Sequence, residues 1–192
     1  MPRSGEDARR RLRNAALELF RERGYDATTT AEIAARAGVT ERTFFRHFPD
    51  KREALFDGEE AFRAALAEAV VSAPQDLDPM SALRFSFRSI EQTLLDNRAF
   101  SGPRAAIIAG SPALQERVAM KTAGLIAALA EALRRRGVDA PLAFLAAQTA
   151  MAAFSYAASA WLEEPKSGLD AHLTRAFDQL HALSSTLHQD DR

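Results

Sequence analysis

The chain has 192 residues, a formal net charge of −1 and no cysteine, which suits one domain or two and excludes disulfides, thiolate metal sites and cysteine nucleophiles. Alanine appears 40 times against 17 glycines and prolines together, and alanine is the strongest helix former, so the expected class is all-α. The near-zero charge hides an asymmetry: residues 1–52 carry 12 Lys/Arg against 8 Asp/Glu, and residues 53–192 carry 13 against 18. A basic front and an acidic rear predict a polyanion-binding head, 1–52, and a body, 53–192, with another task.

In chain order, Leu12, Ala15, Ala16, Leu19 and Phe20 recur at three- and four-residue steps and predict a helix from Asp7 to Arg23, ended by Gly24. Thr29 with Glu32 three residues later forms a capping box for a second helix running through Ala37. Gly38 closes it, and Thr40 caps a third, Glu41 to Phe48, stopped by Pro49. Two short helices joined through Ala37-Gly38-Val39 have the length and turn of a helix-turn-helix. A longer helix is expected from Lys51 to Val71, interrupted at some cost by Gly58, and another from Met80 to Leu95. Further helices are expected at 99–109, from Ser111-Pro112 to Arg136, from Asp139 or Ala140 to Glu164, and from Asp170 to Leu187, nine in all with no strand. Gln189 to Arg192 read as a fraying tail.

The first twenty residues are polar and arginine-rich and predict no secretory leader, so a cytoplasmic location is expected. Leu142 to Leu162 is 21 residues without a charge, long enough for a membrane span. Nine of them are alanine, with Gln148, Thr149, Ser155 and Ser159 interspersed, so a buried helix is the better reading and no membrane partner is expected.

The chemistry sits in the head. Phe44 and Phe48, four apart, can anchor the third helix with Val39 against Ile33, Ala34, Leu17 and Phe20. Glu41, Arg42, Phe45 and Arg46 then face the other way, a composition suited to a major groove, where arginine pairs with guanine and apolar groups touch thymine methyls. Thr29, Thr30, Thr40 and Lys51 lie where helix starts and a following cation meet phosphates.

Gly24-Tyr25, Thr29-Thr30, Ile33-Ala34, Ala37-Gly38-Val39, Thr43-Phe44-Phe45, His47-Phe48 and Lys51 together resemble the N-terminal DNA-binding domain of the bacterial TetR family of transcriptional regulators. The resemblance covers about 45 residues. It implies that Thr29, Thr30, Thr40, Glu41, Arg42, Thr43, Phe45, Arg46, His47 and Lys51 face DNA. It also implies a homodimer on a palindromic operator, with a C-terminal body that dimerises and holds an effector pocket, acting most often as a repressor released by ligand. Members often carry tyrosine where this chain has Phe45, so a hydroxyl contact is replaced by stacking or methyl contact. A dimer is expected independently, because one recognition helix contacts few base pairs and two-fold proteins bind half-sites about 34–36 Å apart. The helices at 142–162 and 170–187 offer the faces for a four-helix interface.

For the effector, Phe87, Arg88, Phe100, Ile108, Leu125, Gln148, Met151 and Phe154 are candidates for an apolar cavity with polar anchors, although phenylalanine at helical spacing is more often core. Ser111-Pro112-Ala113-Leu114 and Trp161-Leu162 resemble a C-terminal domain of the mycofactocin-regulator type, for which acyl-CoA-like effectors are implied. An enzyme, a cofactor and a metal are not expected. His172, His181 and His188 are spaced by nine and seven residues and read as solvated, and the adjacent pairs Glu59-Glu60 and Glu163-Glu164 diverge on a helix. Arg9-Arg10-Arg11 with Arg13 read either as phosphate contacts or as a solvated face, and Arg134-Arg135-Arg136 as a helix-end cap. The competing readings are a helical small-molecule binding protein without specific DNA binding, a ligand-responsive activator, and a membrane-associated bundle.

Overall fold

The computed structural model describes residues 3–186, so Leu187, His188 and the tail 189–192 lie outside it. Ten α-helices follow one another: α1 Arg3–Arg23, α2 Thr30–Arg36, α3 Glu41–His47, α4 Glu59–Ser72, α5 Pro79–Ser89, α6 Glu91–Asp96, α7 Arg98–Ala109, α8 Pro112–Arg135, α9 Ala140–Glu163 and α10 Gly168–Thr186. A 3-10 turn at Pro165–Ser167 precedes α10, and no strand occurs among the described residues. The all-α expectation holds, and the helix count exceeds nine because Met80 to Leu95 is two helices.

The break falls at Ile90 (φ −97, ψ 4), in the bridge region of backbone space. Next to it the Ser89 hydroxyl donates to the Ser86 carbonyl at 2.7 Å, the local competition by which serine weakens a helix. The break sets Glu91 so that its carboxylate accepts the Leu169 N–H at 2.9 Å, capping the start of α10 from another helix. The expected helix from Lys51 is likewise shorter. Asp50 accepts the N–H groups of Arg52 and Glu53 at 2.8 and 3.1 Å, and tight turns follow, with Leu55 N–H to Arg52 O and Phe56 N–H to Glu53 O. Gly58 has φ +85, a conformation that only glycine adopts cheaply, and the α-helix starts after it at Glu59.

Two compact units arise. Residues up to Glu60 cluster with Ala99–Ala119, and Ala61–Arg98 cluster with the residues from Met120 onward. The first unit reaches past the composition shift at residue 52, because Ala54, Leu55 and Phe56 are buried in its core with Leu12, Ala16, Leu19 and Phe20 of α1, Ile33 and Ala34 of α2, Phe44, Phe48 and Leu114.

The core of the second unit joins Leu66 and Val70 of α4, Leu83 and Phe87 of α5, Leu129 and Leu133 of α8, Leu173 of α10 and one face of α9. That face is mostly alanine, so α5 and α10 pack closely on α9. By length and composition α9 could cross a membrane, but Ala143, Ala147, Ala150, Phe154, Ala157 and Trp161 are buried in this core. Arg136 does not cap its own helix. Its guanidinium donates to the carbonyls of Val70, Ala73, Pro74 and Leu77 at 3.2, 2.6, 2.6 and 3.4 Å, closing the end of α4. Arg134 pairs with Glu131 within α8. His172 corrects the expectation of solvated histidines: it is buried, with Nε2 3.0 Å from the Glu164 carbonyl, and ties the α9–α10 connection. His181 is exposed.

Candidate nucleic-acid interface

The helix-turn-helix is built from local signals. Thr29 caps α2: its hydroxyl accepts the Glu32 N–H at 3.2 Å, and the Glu32 carboxylate accepts the Thr29 N–H at 2.9 Å. The Thr29 N–H and hydroxyl, both donating to the Glu32 carboxylate, hold that carboxyl below its ordinary range, with the Arg23 charge adding to them. After α2 the chain turns at Gly38 (φ +67), with Val39 N–H to Ala34 O at 3.0 Å. Arg11 of α1 donates to the Ala37 carbonyl at 2.9 Å, neutralising the end of α2. Thr40 caps α3 by accepting the Thr43 N–H at 3.2 Å. The Thr30 hydroxyl donates to Glu41, which ties the two helix starts together.

Helix α3 shows two unlike sides. Phe44 and Phe48 are 0% and 2% exposed, and their rings meet 5.7 Å apart. Phe45, between them in sequence, is 52% exposed, and Glu41, Arg42 and Arg46 are exposed beside it. The charges around this side are largely spent. Arg9 pairs with Asp57, Arg10 with Asp7, Arg23 with Glu32, Arg36 with Glu18 and Glu22, and Arg52 with Asp50. The Arg36 hydrogen bond holds the Glu22 carboxyl low. Arg42 and Arg46, by contrast, meet no carboxylate or carbonyl among the described residues. Arg13 stacks over Phe100 at 4.8 Å from its ring centre.

Other expected site residues take different positions. Lys51, expected on phosphate, donates to the carbonyls of Tyr25, Asp26 and Thr28 at 2.7, 3.2 and 2.9 Å, with the ammonium 4.4 Å from the Tyr25 ring centre. Its three protons are therefore committed to the loop between α1 and α2. Thr43 and His47 are half-buried on α3. The His47 Nε2 is sealed without a partner, and burial, helped by Arg46 and Arg9 and opposed by Asp57, pushes its pKa below the ordinary 6.5. No local motif announces the Lys51 and Arg11 contacts; their partners lie 23 to 26 residues away.

The eight expected effector residues do not gather as one set. Phe100 and Ile108 pack in the first unit. Phe87 and Phe154 stack at 4.6 Å inside the second core, with Met151 buried in it and Leu125 partly so. Arg88 pairs with Asp170 at 2.8 Å, and Gln148 is exposed. An open cleft of about 560 Å³ within the first unit, lined by Phe20, Tyr25, Ile107 and Ser111 among others, includes none of the eight. Among the described residues no three His, Asp or Glu side chains group as metal ligands.

A helix-turn-helix whose second helix and C-cap bury Phe44 and Phe48 while two uncommitted arginines face outward has the arrangement of the helix-turn-helix class of DNA-binding domains. Residues 12–57 match the family described as bacterial regulatory proteins, tetR family, and residues 77–184, more than half the chain, match the MftR C-terminal domain. The chain belongs to the TetR family of transcriptional regulators, with a C-terminal domain of the MftR type.

It is 36% identical over 127 residues to the HTH-type transcriptional regulator TcmR of Streptomyces glaucescens, covering 66% of this chain and 53% of that protein. The chain thus spans about half the length of that relative. It is 26% identical over 202 residues to the mycofactocin biosynthesis regulator MftR of Mycobacterium tuberculosis, covering 98% and 100% of the two. Among solved structures, Thermus thermophilus FadR in complex with lauroyl-CoA is 28% identical with TM-score 0.58, over 90% and 92% of the chains. A SmeT–triclosan complex shares the fold at 22% identity and TM-score 0.64, over 92% and 90% of the chains.

Proposed function

We propose that this regulator works in the cytoplasm as a homodimeric repressor, its two α3 helices reading the half-sites of a palindromic operator until a small, largely apolar effector releases it. The observation that carries the reading is the outward side of α3: Arg42, Phe45 and Arg46 are exposed and the two guanidinia are uncommitted, while neighbouring arginines are paired. Such donors pair bidentately with guanine edges, and Phe45 supplies apolar contact to thymine methyls.

A second observation supports the dimer. The exposed half of α9 bears Leu142, Leu145 and Tyr156 at 47%, 61% and 56% exposure, with no charge from Ala140 to Leu162. Leu183 of α10 is exposed as well. A charge-free apolar face of that length suits a symmetric helix–helix interface. Effector binding finds support in the relatives: T. thermophilus FadR holds lauroyl-CoA and SmeT holds triclosan.

Selection from a pool of random-sequence duplexes tests the reading. The expected product is a palindrome whose half-sites are one helical turn apart; retention of all sequences alike contradicts it. If ligand and operator oppose each other, linkage requires the selected duplex to weaken effector binding by the factor by which effector weakens DNA binding.

A further inference from the structure

Between Thr29 and Phe48 the helix-turn-helix carries two carboxylates, Glu32 and Glu41, and their surroundings differ. Glu32 is engaged by the Thr29 cap and by Arg23. Glu41 is exposed on the outward side of α3 beside Arg42 and Phe45 and meets no cation among the described residues. Its contact is with the neighbouring helix: the Thr30 hydroxyl donates to Oε1, and Oε2 receives no donor among the described residues. An acid in the first turn of a helix suits the helix dipole. On a side that approaches phosphates it also repels them, which weakens binding to every duplex unless a base offers it a proton.

An ionised carboxylate only accepts hydrogen bonds. Along the major-groove edge guanine and thymine present acceptors, adenine sets its N6 donor beside the N7 acceptor, and cytosine presents the N4 donor with no acceptor of its own. Cytosine is therefore the base that meets a carboxylate without repulsion. We propose that Glu41 selects cytosine in each half-site, its carboxylate accepting from the N4 amino group and repelling the other bases, with Thr30 as the positioning residue that holds the carboxylate at the groove. This rests on the base-reading role of α3 proposed above and assigns a base to the one acid on that helix. Glu41 and Phe45 lie four residues apart on α3, about 5.4 Å along the axis. A base step is about 3.4 Å, so the cytosine falls within about two base pairs of the thymine whose methyl meets Phe45.

Full-length wild type, E41Q and E41A are each used to select half-sites from random-sequence duplexes, and affinities for the selected duplexes are measured at one salt concentration. Wild type should fix cytosine at one half-site position and lose about tenfold or more in affinity when that base pair is changed. E41Q should move the preference at that position to adenine, whose N6 and N7 match an amide. E41A should take all four bases there about equally and bind scrambled duplex no more weakly than wild type, because a repelling charge has gone. Both variants should keep the rest of the half-site. A role confined to the helix dipole would leave the selected sequence unchanged. T30V should lessen the cytosine preference and T30S restore it; a T30V preference equal to that of wild type removes the positioning role of Thr30. The same selected half-site for wild type, E41Q and E41A, or a base other than cytosine at the position these variants alter, overturns the assignment and leaves the base-reading role of α3 standing. A wild type that selects no sequence overturns both.

Discussion

Single residues on α3 and its supports divide into those that face outward and those that hold the helix in place. Lys51 follows the linear motif of a phosphate contact, yet its ammonium closes the α1–α2 loop through three carbonyls. K51M should therefore lower stability by about 1–3 kcal/mol through orphaned carbonyls, seen in the denaturant midpoint, and leave the salt dependence of DNA binding unchanged. A smaller salt slope with undiminished stability would restore the phosphate role. His47 makes a pH prediction. Burial, with Arg46 and Arg9, lowers its pKa in the folded state below 6.5, so the unfolded chain binds more protons near that value. Stability is then fully present above the ordinary histidine pKa and is lost as pH falls through it, and H47Q should flatten that slope between pH 7.5 and 5.5. The carboxyls of Glu22, Glu32, Asp50 and Asp78 lie below their ordinary values, so their contribution persists to lower pH and is lost only as pH falls through those depressed values.

Elements were legible in the sequence wherever their boundaries rest on near neighbours. The capping box of Thr29 and Glu32, the Thr40 cap, the turn at Gly38 and the Asp139 cap, which accepts the Leu142 N–H at 3.2 Å, all act within five residues. The break at Ile90 was not legible: Glu91 finds its partner at Leu169, 78 residues away, and hydrophobic spacing alone continues smoothly through the break. The stretch 51–58 failed for another reason. Leu55 and Phe56 keep helical spacing with Phe62 and Leu66, but the first pair is buried in one core and the second packs in the other, with Gly58 making the change of direction possible. Arg136 is the clearest element-scale test, since it closes α4 from the end of α8. R136M should cost about 1–3 kcal/mol by leaving the Val70 carbonyl of α4 and those of the loop after it unpaired, read as a lower unfolding midpoint with helix content retained. An unchanged midpoint would show that water replaces the guanidinium.

For the whole molecule, the outward side of α3 was readable because burial of Phe44 and Phe48 follows from four-residue spacing alone. The expected effector residues were not, because helical spacing marks core and cavity walls alike, and Phe87 with Phe154 turned out to be stacked core. The dimer is tested on the exposed half of α9: L145E combined with Y156E should yield a folded monomer by sedimentation, with affinity for a palindromic duplex reduced far more than for random DNA. A dimer surviving both changes would place the interface elsewhere. The most direct test of the central claim is the ratio of affinities for the selected duplex and its scrambled counterpart, measured at one salt concentration for wild type and for R42A combined with R46A. Wild type should prefer the selected duplex by about 10³-fold or more, and the double variant should lose most of that ratio while keeping its affinity for scrambled DNA within about a few fold. A wild-type ratio near unity, or a ratio untouched by removing both guanidinia, would contradict a base-reading role for α3.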